Sequence, residues 1–228
     1  MKKKKWLLPA MGLLFLAGLG LLLGPTLYGA RCEAREAQQI AAYTEERAAV
    51  PEDALKNALK TYNQELFTRG QKDLTSLAAC AAFAVDPEDF GRGEMVGYVD
   101  IPALQIDLPL YLGASDDHMA RGAAVMGETS APVGGVSTNC VIAGHRGWRG
   151  ADKFRYLDRL QPGDMVYVTN DWETLAYAVE EIQIIQPDDV GAVAIRPGED
   201  LVTLLTCHPY ASGGKYRYLV ICRRVETP

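Results

Sequence analysis

The chain begins with a run of lysines at residues 2–5 and then continues from residue 6 to residue 28 without a charged side chain. At helical rise that apolar stretch reaches roughly 34 Å, enough to cross a hydrocarbon core of about 30 Å. Lysines on its near side predict a cytoplasmic N-terminus with everything downstream exported. The competing reading is a cleaved signal peptide, whose apolar region normally holds only about 7–15 residues. The length of the run favours an uncleaved, single-pass anchor. Arg31, before Cys32, stands where a lipoprotein site would need a small residue.

Beyond the anchor the pattern changes twice. Residues 31–69 are polar and rich in Ala, Glu, Arg and Gln, and they read as helical. Pro51 followed by Glu52 and Asp53 fits the first turn of a second helix. Residues 70–93, with Gly70, Pro87, Gly91 and Gly93, read as a connector. From Met95 the period falls to two. Residues 95–101 and 104–112 alternate around Pro102 as two short strands. A third apolar run, 140–143, ends at Gly144-His145. Runs at 164–169 and 173–186 flank Asn170-Asp171, a hairpin signal. In the second of these the buried phase flips after Val179, which predicts a bulge near Glu180-Glu181. Runs at 201–206 and 216–223 close the series, and Phe154, Leu157 and Leu160 fall at helical spacing. Seven or eight strands with only short helices predict a mostly β fold closed into a barrel, with an N-terminal helical appendage. The expected domains are 1–30 (anchor), 31–93 (appendage and connector) and 94–228 (barrel).

Charge narrows the possible partners. Lys and Arg total 23 against 29 Asp and Glu, a formal net charge of −6, and four of those cations are the opening lysines. So acidic a body disfavours nucleic acid as a partner, because phosphates select basic surfaces. Five cysteines are an odd number, none lies in a CxxC pair, and with three histidines they make no zinc spacing, so neither a metal nor another cofactor is expected.

Three strand ends carry candidate chemistry. Val141-Ile142-Ala143-Gly144-His145-Arg146-Gly147 puts a histidine where a strand meets a glycine-flanked loop. Thr203-Leu204-Leu205-Thr206-Cys207-His208-Pro209 ends a strand on a cysteine. In Tyr216-Arg217-Tyr218-Leu219, Arg217 shares a strand face with apolar residues, an odd place for a guanidinium without a partner or a task. Singly, each has an ordinary structural explanation. Together they supply a thiol nucleophile, a proton donor and a stabiliser of negative charge.

The Thr-Leu-Leu-Thr-Cys segment at 203–207, the upstream Gly-His-Arg and the arginine on the next strand resemble the signature of the sortase family. The similarity runs over about residues 95–225 and includes Met95-Val96-Gly97-Tyr98 and Pro132-Val133-Gly134-Gly135. The resemblance implies a cysteine transpeptidase acting on exported proteins that bear LPXTG-like sorting signals. Cys207 would attack the threonine carbonyl, His145 would protonate the departing amine and Arg217 would steady the oxyanion. An amine would then resolve the thioester, either a pilin lysine or an amino group of a cell-wall precursor. Thr206 is expected to position or bind substrate, and Trp148 and Arg149 to line the groove. His208 points away from Cys207 as a bystander, and His118 is expected to be solvated.

Within the family, Gly-His-Arg-Gly, the Pro-Val-Gly-Gly loop and Gln186-Pro187-Asp188-Asp189 look most similar to class C, the pilus-polymerising group. Class C members usually carry a lid in which Asp-Pro precedes an aromatic residue. Asp86-Pro87-Glu88-Asp89-Phe90 is a displaced version, making Asp86 and Phe90 lid candidates. The alternatives are a wall-anchoring housekeeping sortase, a cell-wall cysteine hydrolase and a non-catalytic surface protein. A hydrolase of the papain type would place its cysteine before its histidine, at a helix start.

Overall fold

A computed structural model describes residues 7–47, 54–72, 74 and 76–226. The opening lysines and the helix start expected at Pro51-Glu52-Asp53 lie outside the described residues. The apolar run and the polar segment after it form one helix, α1 (Leu7–Arg47). The expected boundary at residue 30 therefore falls inside a continuous element. Large side chains between Met11 and Tyr28 are exposed along α1, as a lipid-facing helix requires, whereas its second half is fastened to the barrel. A side-chain carbon built at Gly29 would lie 2.3 Å from the Gly150 carbonyl oxygen, and one built at Gly150 would lie 2.0 Å from that of Pro25. Two glycines thus let backbone meet backbone. Farther along, Glu36 pairs with Lys153 in a buried ion pair, and the Tyr43 hydroxyl donates to the Asp171 carboxylate at 2.5 Å.

The helix α2 (Ala54–Arg69) buries Leu55, Leu59, Tyr62 and Leu66, spaced three or four residues apart, in the main hydrophobic core. Each such burial stabilises by roughly 1.5–3 kcal/mol. Asn63 brackets the Ala131 peptide, accepting from its N–H at 2.7 Å and donating to its carbonyl at 3.3 Å. A third, short helix, α3 (Leu77–Ala81), is capped by Ser76.

Eight strands among the described residues close the barrel: β1 (Met95–Ile101), β2 (Ile106–Leu112), β3 (Ala123–Val125), β4 (Thr138–Ala143), β5 (Met165–Asn170), β6 (Thr174–Ile185), β7 (Asp200–His208) and β8 (Tyr216–Arg224). A fourth short helix, α4 (Asp116–Arg121), lies between β2 and β3. Around the barrel the order is β1-β2-β3-β4-β7-β8-β6-β5. The β2–β3 and β4–β7 pairs are parallel and the others antiparallel. The register of β6 against β8 shifts between Val179 and Glu181, where the phase flip predicted a bulge. Phe154, Leu157 and Leu160 are buried as their spacing implied, but they sit on turns and a single 3-10 turn (Leu157–Arg159) rather than on a helix. His118 is half-buried, not solvated: its ring stacks on Tyr111 and its Nδ1 lies 2.8 Å from the Gly113 carbonyl oxygen.

Candidate active site

Register brings the three chemical side chains to one end of the barrel. In the parallel β4–β7 pair, Ala143 lies opposite Leu205. The Gly144 N–H continues that ladder by donating to the Leu205 carbonyl at 3.1 Å. His145 therefore leaves its strand at the level of Cys207, while antiparallel β8 sets Arg217 directly opposite Cys207. Thr206, next in line, is 1 % exposed. Its hydroxyl donates to the Gly144 carbonyl at 2.8 Å. That bond ties β7 to the end of β4, so Thr206 also positions the strands.

Cys207 is exposed; Cys32 and Cys80 are half-buried and Cys140 and Cys222 buried, all five with free thiols. Burial pushes the Cys222 thiol up to about 12 and raises that of Cys140. The turn after Cys207 folds back over it: a carbon built on Gly214 would lie 2.9 Å from Arg217 Nη1 and 3.3 Å from Cys207 Sγ. Arg217 Nη1 donates to the carbonyls of Gly214 (2.7 Å) and Tyr216 (3.3 Å). Both bonds use Nη1, so among the described residues the donors on Nη2 and Nε stay open to an incoming oxygen.

His145 is half-buried. Its ring stacks on Trp148 with centroids 4.3 Å apart and planes 9° from parallel. Its Nε2 is buried and has no hydrogen-bond partner among the described residues. Burial holds the imidazole below its ordinary value of 6.5; the Asp116 carboxylate opposes this and Lys153 reinforces it. Arg149 completes the cluster with its guanidinium 5.2 Å from the Trp148 ring centroid. Replacing Trp148 with Ala should return water to the imidazole and move its titration midpoint up toward 6.5. An NMR titration of the His145 ring checks this; an unmoved midpoint would show that the stacked indole is not what dries the site.

One residue escaped the sequence reading. Arg146 is buried, donates to Asp158 Oδ2 at 2.5 Å and His208 Nδ1 at 2.6 Å, and approaches the Cys207 carbonyl oxygen at 3.4 Å. It braces the backbone of the strand that carries Cys207, with His208 as a link in that brace. A charged residue next to a strand-terminal histidine, pointing to the opposite face, was the available signal.

Below Cys207 and Arg217 the barrel wall is apolar. Val141, Leu219 and Val193 form a small buried cluster with Leu205, Ile185 and Met126 around it. Leu74, from the connector, packs into that cluster. Asp86 and Phe90 do not join it. Asp86 caps a 3-10 turn (Pro87–Phe90) by accepting from the Glu88 N–H at 2.9 Å. It lines a separate cavity with Leu112 and His118, and Phe90 is exposed. Of the residues singled out from sequence, the structure gathers Cys207, His145, Arg217, Thr206, Trp148 and Arg149, and leaves Asp86 and Phe90 elsewhere.

An exposed thiol at a strand end, flanked by an imidazole and a guanidinium from neighbouring strands of a closed barrel, defines the class as a β-barrel with a cysteine-centred site. The family description "Sortase domain" matches residues 99–225, more than half of the chain, and the chain belongs to the sortase family. Members of that family are cysteine transpeptidases, and similar solved structures are class C sortases. Sortase C1 of GBS Pilus Island 1 superposes with a TM-score of 0.73 at 30% identity, covering 85% of this chain and 93% of that one. Sortase C from Clostridium perfringens, solved with the C-terminal cell wall sorting motif, gives 0.72 at 33% identity over 84% of this chain and 100% of the other. Sortase A of Streptococcus agalactiae serotype III (strain NEM316) is 30% identical over 117 residues. That match takes in 50% of this chain and 47% of the enzyme, so the chain spans about half the length of that curated relative.

Proposed function

We propose that the protein is a membrane-anchored class C transpeptidase that joins exported proteins through an LPXTG-like sorting signal. The observation that carries this reading is the placement of exposed Cys207 between Arg217, across the β7–β8 ladder, and His145 at the end of β4. The Cys207 thiolate forms a C–S bond with the threonine carbonyl carbon, and the resulting oxyanion accepts hydrogen bonds from Arg217. The C–N bond to the following residue then breaks as His145 gives its proton to the departing amine, leaving a thioester. An acceptor amine attacks that thioester and returns a proton to His145, and the thiolate is released. One amide is exchanged for another, and exclusion of water protects the thioester from hydrolysis.

The acceptor in this proposal is a pilin lysine, in keeping with the pilus named for the structural neighbour. Residues 1–30 serve as the anchor, with the N-terminus cytoplasmic, 31–93 as the appendage and 94–228 as the extracellular catalytic barrel. Trp148 and Arg149 border the substrate groove. The test incubates the chain with sorting-signal peptides and a panel of amines, followed by mass spectrometry. The expected result is an acyl adduct on Cys207 ending at threonine, resolved by a lysine side chain. Cleavage without preference for the Thr–Gly bond would instead mark a hydrolase, and resolution only by a cell-wall amine would mark a wall-anchoring enzyme.

A further inference from the structure

Helix α1 leaves its apolar stretch at Tyr28 and meets its first charge beyond it at Arg31. The barrel does not hang below that level on a tether. Its Trp148-Arg149-Gly150 loop is pressed against Pro25 and Gly29 backbone to backbone, through glycines that admit no side chain. At about 1.5 Å per residue, Pro25 and Gly29 lie roughly 3–9 Å toward the membrane from Arg31. With a hydrocarbon core of about 30 Å inside a bilayer of about 40–45 Å, that is the depth of the headgroup layer. The loop that stacks on His145 is thus fixed, by a continuous helix, at the height of the lipid phosphates.

The side chains at that height suit such a layer. Beside the loop, a cavity of about 290 Å³ is bordered by Tyr28, Arg35, Arg121, Trp148 and Arg149. Arg121 is paired with Glu94 and Asp117, and the Glu36 carboxylate at the cavity's edge is neutralised by Lys153. Arg35 and Arg149 have no ion pair among the described residues, and both are exposed. Glu33 opens instead onto the neighbouring cavity, with Asp107 and Asp152. A tyrosine, a tryptophan and the unpaired Arg149 at that level, with the unpaired Arg35 roughly 10 Å farther out along α1 and able to reach back toward it, match the aromatic belt and the anionic headgroups of a bilayer surface.

We infer that the 148–150 loop and Arg35 form a docking surface for anionic phospholipid headgroups, holding the Cys207–His145 end of the barrel against the bilayer. This rests on the reading of residues 1–30 as the anchor. The experiment uses the full chain carrying Trp6→Phe and Trp172→Phe, which leaves Trp148 as the sole indole, reconstituted into vesicles with and without phosphatidylglycerol. Lipids brominated near the headgroup serve as quenchers. Most of the Trp148 emission should be lost to these lipids in anionic vesicles. The loss should be smaller in purely phosphatidylcholine vesicles, and smaller again when Arg35→Glu and Arg149→Glu are added. A chain that floats with the vesicles while Trp148 stays unquenched overturns the docking surface but not the anchor, and so does protection of Trp148 by an added protein or peptide but not by lipid. Quenching that is indifferent to lipid charge and to the arginine reversals overturns the anionic-headgroup assignment. A chain that does not float with the vesicles at all removes the anchor and this inference together.

Discussion

Replacing Cys207 with Ala is expected to abolish the acyl adduct and to lower peptide-bond exchange by on the order of 10⁴-fold or more, as loss of a nucleophile does elsewhere. The same substitution should leave the melting temperature nearly unchanged. Cys207 is exposed, and its side chain is not part of the hydrophobic clusters below it, so the stability change should stay within about 0.5 kcal/mol. The contrast between the two readouts is what makes the test sharp. Cys140 and Cys222 are buried, with thiols held high by that burial, so neither can stand in as a thiolate near neutral pH. Mass spectrometry of the trapped intermediate and a thermal melt decide the matter. An adduct that persists in the alanine variant would assign the nucleophile elsewhere.

The second large effect is expected at Lys153. Its ammonium is fully buried and pairs with Glu36, itself only 7 % exposed at the side chain. Removing one partner of such a pair strands the other charge, at a cost of about 3 kcal/mol or more. In a chain of this size that lowers the melting temperature by roughly 10 °C. Lys153→Met should therefore loosen α1 from the barrel, and the double variant with Glu36→Leu should recover most of the loss, since no charge is then left buried. The pH dependence has a definite sign. Burial raises the Glu36 carboxyl above 4.5 despite the opposing attraction of Lys153. The folded state thus binds the proton more readily than the unfolded chain. Stability from this group is fully present below 4.5 and declines as pH rises through the raised folded value. Without Lys153 that decline should steepen, so thermal melts of Lys153→Met should improve on acidification more than those of the parent. A single variant as stable as the parent would mean that the pair does not hold the helix.

The chemistry was more legible in the sequence than its support. Cys207, His145 and Arg217 each end or begin a strand whose alternation is easy to read, and register does the rest. The bulge at Val179–Glu181 was visible because a one-residue slip must invert the buried phase. Strand β3 was not visible, because three small residues, Ala123–Val125, carry no alternation. The spacing of Phe154, Leu157 and Leu160 imitated a helix, yet the positive φ at Lys153 and the turns around it place the same side chains in the core without one. The polar segment after the apolar run read as a helical appendage; that its second helix, α2, also packs four side chains into the main core was not legible. Leu74 and Arg146 act through contacts made only in the folded chain: one lies on the apolar floor, the other braces the Cys207 carbonyl. Leu74 has no local pattern that would announce it; Arg146 has only its place beside a strand-terminal histidine.

Parallel pairing of β4 with β7 has one last consequence. Because both strands arrive at the site in the same direction, the imidazole and the thiol are aligned by counting from a shared ladder, not by the long excursion that separates them. Length changes confined to the exposed turn before β7 (Pro197-Gly198) should be tolerated, while adding or deleting one residue inside either strand would rotate a reactive group into the barrel lumen. At this site the molecule is keyed to strand length before loop length.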